Sequence, residues 1–272
     1  MNARAIQHRT SRSRHGFIRR MISPGDIGEV SKPFIFLDHI SAEIAEGMGF
    51  GYHPHSGIAT LTYTIEGDGT YEDSTGKSGV LRSGGIEWMM AGGGVWHRGG
   101  ALSNTPRING FQLWVALPPA LEESPAESVY VQPEDVPEVD GVRVLLGSWL
   151  GHRSPVPGPS SMNYLDVWLE RGQRWSYAPP EDHQVAWCFV HGGRAKVNGV
   201  ALQDTLAVFE PGTGALEFEP IGPARILLGS AALHAHPLVL GTSSVHTELP
   251  ALQRSLQRIR TIGADLRQRG AL

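Results

Sequence analysis

The chain has 272 residues, a formal net charge of −4 and 18% charged residues, so it carries no field able to gather nucleic acid or anionic lipid. Its length can bury a substantial core, and its single cysteine, Cys188, excludes an intramolecular disulfide. No apolar run approaches the roughly 18 residues of a membrane span, and none follows the N-terminal arginines as in a secretory signal, so the expected location is cytoplasmic.

The leader carries Arg4, Arg9, Arg12, Arg14, Arg19 and Arg20 with no acidic residue, and residues 1–14 read as a basic flexible arm. Residues 15–125 then offer short β-branched and aromatic runs, among them Ala59 to Ile65, Ile86 to Met90 and Gly110 to Leu117. Each is bounded by turn residues such as Gly67-Asp68-Gly69, Gly84-Gly85 and Gly92-Gly93-Gly94. That spacing predicts an antiparallel barrel or sandwich. Pro118 to Asp140 is rich in proline and acid, and within it residues 126–140 read as the linker. A second barrel is expected over 141–240, with strands at Tyr164 to Glu170, Gln184 to Val190, Ala195 to Val197 and Thr205 to Phe209. The repeated order of strand, turn and glycine-preceded strand suggests a duplication. Over 241–272, Leu252, Leu256, Ile259 and Leu266 recur at helical spacing after Pro250, so a C-terminal helix should pack one face on a barrel. Cys188 lies in an apolar run and reads as a small buried hydrophobe.

His53-Pro54-His55 is the sharpest feature. In a strand, side chains alternate faces with period two, so both imidazoles project from one side and can reach one ion. His97 follows a glycine turn that can bring its strand back against the first, and three imidazoles on adjacent strands suit iron, nickel, copper or zinc. Glu87 has two readings: a surface or barrel-mouth glutamate, or a carboxylate that acts as a ligand or base beside the metal. His234-Ala235-His236 repeats the HxH spacing without a third ligand, and His39, His183 and His191 read as core or turn histidines. Arg98 is either an attractor of an anionic ligand or a solvent-facing rim residue.

Phe34 to His39, Tyr52 to Gly57, Leu61 to Gly67 and Gly84 to His97 together closely resemble the pirin family of bicupins, over roughly residues 15–120. The resemblance implies an all-β fold of two tandem cupin barrels with a short C-terminal helix and a metal, usually iron, in the first barrel only. His53, His55 and His97 match three of the family's four ligands. Gly99 stands where the fourth, a glutamate, is usual, Ala59 stands where many relatives carry a further glutamate, and Glu87 stands where they generally carry glutamine.

The resemblance implies one divalent transition metal, Fe(II) first, with Ni, Cu, Mn or Zn also compatible. It further implies quercetin 2,3-dioxygenase-like chemistry on a small aromatic or enolic, flavonol-like substrate. The alternative is a redox-responsive regulator that binds a protein partner without turnover. Two barrels that cover each other's sheets would make a monomer self-sufficient.

Overall fold

The computed structural model describes residues 4–12, 15–102 and 104–272; Arg14 of the basic leader lies outside them. The chain divides into two compact units, one of residues 1–13, 30–33 and 136–233, the other of 14–29, 34–135 and 234–272. Both are built from antiparallel strands, as two tandem cupin barrels require.

The first strand, β1 (Ile6–Thr10), belongs to the unit formed largely by residues 136–233, where it pairs with Thr205–Phe209 in the register Ile6↔Phe209. The expectation of a flexible arm over residues 1–14 is therefore corrected for this stretch. Physically, the Thr205–Phe209 strand has an open edge, and β1 satisfies its unpaired backbone groups. Arg4 is buried, and its guanidinium donates to the carbonyls of Glu210 and Gln184. Burial pulls its pKa down to about 10. The seven-stranded sheet runs β1, Thr205–Phe209, Val185–Gly192, Ala224–Ala231, Met162–Leu169, Val142–Leu146 and Glu138–Val139. Its alternate residues Val142, Leu165, Val167, Cys188 and Ile226 join Tyr177 and Phe218 of a four-stranded sheet in one core. Cys188 is fully buried there, and burial pushes its thiol up.

The other unit has a six-stranded and a four-stranded sheet. Its strands are β2 (Ile18–Ile22), β3 (Phe34–Glu43), β4 (Gly49–His55), β5 (Ile58–Glu66), β6 (Gly69–Asp73), β7 (Ser78–Leu81), β8 (Ile86–Met90), β9 (Val95–Ala101), β10 (Arg107–Ala116) and β11 (Glu127–Val131). The larger sheet has the order β11-β8-β5-β10-β3-β2, the smaller β4-β9-β6-β7. Strand β11 lies inside the segment read as a linker. Its five residues pair with all of β8, from Glu127↔Met90 to Val131↔Ile86, which closes an edge that prolines at 125 and 133 merely flank.

The C-terminal helix (Leu249–Gln268) has Pro250 in its first turn and buries Ala251, Leu252, Ser255, Ile259, Gly263 and Leu266, a stripe at helical spacing. It packs on β9. Trp96 Nε1 donates to the Ile259 carbonyl over 2.9 Å, and a Cβ on Gly263 would stand 2.8 Å from the Trp96 ring. The glycine lets helix and indole approach, and Leu256, expected on the apolar face, sits at its half-buried margin.

Candidate metal centre

Cross-strand register assembles the three histidines. Strands β4 and β9 pair antiparallel with His53 directly opposite His97, and His55 follows two residues along β4 on the same face. Ring centroids lie 4.3 Å apart for His53 and His97, 5.0 Å for His53 and His55, and 5.1 Å for His55 and His97. One ring nitrogen from each lies within 4.8 Å of the others, and among the described residues no other group of three ligand-type side chains is so arranged. Three nitrogens bound to one ion at ~2.1 Å lie roughly 3.0–3.6 Å apart, so the rings must draw together by about an ångström to share it.

Hydrogen bonds decide which nitrogens remain for a ligand. His53 Nδ1 donates to the Gly51 carbonyl at 2.8 Å, and His55 Nδ1 donates to the Ser243 carbonyl at 2.9 Å. Each ring then keeps its Nε2 lone pair. His97 Nε2 is buried with no hydrogen-bond partner, a cost that a coordinated cation would remove. Burial, followed by neighbouring imidazoles, lowers the pKa of His53 and lowers that of His55 well below the usual range, so both stay neutral and available as donors. The donor set therefore fits a divalent transition metal.

The histidines face a cavity of about 380 Å³ with aromatic walls from Phe17, Phe36, Phe50, Phe111 and Trp114. Across it, the six-stranded sheet presents one continuous polar row, read strand by strand as Arg20, Asp38, Gln112, Thr62 and Glu87, with Tyr130 next in register. Glu87 is only 8% exposed and its Oε1 lies 3.8 Å from His97 Nδ1, so the surface reading is set aside by burial. Thr62 Oγ1 is 2.9 Å from Glu87 Oε2 and 3.0 Å from Gln112 Oε1, and its single proton serves one of them. Gln112 Nε2 is buried without a hydrogen-bond partner. With its amide turned over, Gln112 N–H donates to Thr62 and Thr62 O–H donates to Glu87, which aligns the three donors and acceptors but leaves the Gln112 oxygen in the unpartnered position.

Arg98 is at the mouth, exposed, and donates to Glu72 Oε2 over 2.6 Å, while its guanidinium covers the Tyr52 ring at 4.9 Å. Tyr52 also donates to Glu72, and burial together with that carboxylate pushes its hydroxyl up to about 12. Gly99 lies two residues beyond His97 on the same strand, and a Cβ there would stand 2.9 Å from the Thr70 carbonyl. The other histidines singled out in the sequence are elsewhere. His39 bonds Asn109 and stacks on Phe111, His183 bonds Ser161 and Ser230, His191 faces Asp166, and His234 and His236 meet edge to face.

Sequence reasoning missed Thr62, Gln112 and Ser243. The threonines alternating through the apolar β5 signalled a polar inner row. Ser243 acts through its backbone carbonyl from 188 residues away and left no signal.

The pirin family model matches residues 9–115. A pirin-like protein of Caulobacter vibrioides is 34% identical over 221 residues, covering 71% of this chain and 76% of its own. The chain belongs to the pirin family. Among solved structures, quercetin 2,3-dioxygenase from Acinetobacter baumannii superposes on this pirin-family chain with a TM-score of 0.82 at 23% identity, covering 94% of each. The bacterial pirin YhhW from Escherichia coli, in complex with nickel(II), superposes with a TM-score of 0.66 at 22% identity over 85% of this chain and 98% of its own. Both share the bicupin fold.

Proposed function

We propose that this pirin-family chain is a metal-dependent dioxygenase of small enolic or phenolic, flavonol-like substrates, with His53, His55 and His97 as the metal ligands and Fe(II) as the native ion. The observation that carries the reading is the convergence of three imidazoles, two with their second nitrogen already committed, on the wall of an aromatic cavity. When bound, a divalent metal supplies Lewis acidity toward a substrate oxygen and redox contact with dioxygen.

The chain's own residues do the rest. Phe36 and Trp114, stacked with centroids 4.1 Å apart, hold a planar ring and exclude water. Glu87 takes the hydroxyl proton of the substrate. Thr62 donates to its Oε2, which leaves Oε1, on the His97 side, as the accepting oxygen. His53, His55 and His97 would hold a divalent ion with neutral donors only, and the proton taken by Glu87 would leave the substrate oxygen with the charge that balances it.

Oxygen uptake with quercetin and added Fe(II) tests this. Wild type consumes oxygen, His53→Ala loses both metal and turnover, and Glu87→Gln keeps its metal while kcat falls roughly 10²–10⁴-fold. A metal-loaded wild type that consumes no oxygen with any enol or catechol substrate defeats the enzymatic reading.

A further inference from the structure

The segment that follows the second barrel returns to the first and touches the histidine cluster. Thr242 and Ser243 line the cavity, and the Ser243 carbonyl is the group that fixes the His55 ring. A backbone carbonyl can orient a ligand only if its own chain is held, and Ser56 and Glu122 hold this one. Ser56, the residue after His55, forms a parallel bridge with Ser244, donates its hydroxyl proton to Ser244 Oγ over 2.9 Å, and accepts Val245 N–H at its carbonyl over 3.2 Å. The His246 ring stands 3.0 Å from Ser56 Oγ on its Nε2 side and 3.3 Å from Glu122 Oε2 on its Nδ1 side. Glu122 also receives the backbone N–H and the hydroxyl of Thr247, at 2.6 and 2.7 Å.

All of this is dry. Ser56, Glu122, Ser244 and His246 are each at most 3% exposed. Gly57 makes the approach possible, because a Cβ there would lie 1.9 Å from the Val245 carbonyl and its φ of +71° suits glycine. His246 meets Glu122 through a 3.3 Å contact that makes no hydrogen bond at Nδ1, so the bonds at Ser56 and Thr247 supply most of the stiffness, and together they span the neighbour of a metal ligand and the segment that orients that ligand.

We infer that residues 242–247 are a component of the metal centre, and that Glu122 and His246 are positioning residues whose clasp on Ser56 and Thr247 holds the Ser243 carbonyl against His55 Nδ1. The inference rests on the reading of His53, His55 and His97 as ligands. Outer partners of ligating histidines set ring orientation and basicity, and their loss typically costs 10–100-fold in metal affinity.

The test uses the full chain and nickel(II) as probe. Calorimetric titration of wild type should give one site per chain that His53→Ala abolishes. Glu122→Ala and His246→Ala should bind nickel 10–100-fold more weakly with a changed ligand-field spectrum, while Glu122→Asp recovers much of the loss. In the apo chain, the ¹⁵N shifts of His55 should report the Nδ1–H tautomer in wild type and a mixture of tautomers in Glu122→Ala. Should a variant fail to fold, Thr247→Val, which removes only one donor to Glu122, should shift nickel affinity in the same direction by a smaller factor. Normal wild-type binding together with unaltered affinity, spectrum and tautomer in the variants overturns the clasp alone. A wild type that binds no nickel, iron, copper, manganese or zinc overturns the ligand reading and the clasp with it.

Discussion

At the scale of single residues, burial and reach decide roles that residue type leaves open. Glu87 and Arg98 were both ambiguous in sequence. The fold buries the first beside His97 and leaves the second exposed on Glu72 at the mouth. Gly99 shows the same dependence on context. Because a Cβ at this position meets the Thr70 carbonyl at 2.9 Å, a carboxylate cannot be restored simply by adding a side chain. Gly99→Glu should lose about 1–3 kcal/mol in urea unfolding, the usual cost of forcing atoms into a packed site. A variant as stable as wild type would show that β6 yields freely.

At the scale of elements, the period-two argument for His53 and His55 needed only the strand, and β4 supplies it. The docking of the C-terminal helix was legible as an apolar stripe, but its glycine was not. Gly263 sits mid-helix, where alanine is intrinsically preferred by about 1 kcal/mol. Since its added Cβ would press on the Trp96 ring at 2.8 Å, Gly263→Ala should nevertheless lower Tm, by a few degrees for about 1–2 kcal/mol lost. A raised Tm would mean that propensity outweighs the contact. Strands β1 and β11 were missed because an edge strand owes its existence to the neighbour it completes. The basic leader carries little intrinsic strand signal, and the β-branched and aromatic run Val129-Tyr130-Val131 was masked by the prolines around it.

At the scale of the whole molecule, acid stability should trace to the barrel that lacks the histidine cluster. Burial alone would raise the Asp166 carboxyl, but hydrogen bonds and charge from His191 and Arg225 outweigh it and hold it well below the usual range. A carboxylate depressed in the folded state contributes stability that is fully present above its unfolded pKa of about 3.9 and is lost as pH falls toward the folded value. Wild-type unfolding free energy should therefore drop below about pH 4. Asp166→Asn should be less stable at neutral pH, by about 3–5 kcal/mol as for a broken buried pair, with a flatter acid limb. Parallel pH profiles for the two would remove Asp166 from the account.

By itself the sequence determined the class of fold, the pirin resemblance and the shared face of His53 and His55, because strand alternation, turn residues and motif spacing are local properties of the chain. Only the tertiary structure decided that His97 lies opposite His53, that Glu87 turns inward, and that the Ser243 carbonyl reaches His55. Those are matters of register and of contacts between distant segments. Their free energy comes from burial and pairing with partners that no local window of sequence contains.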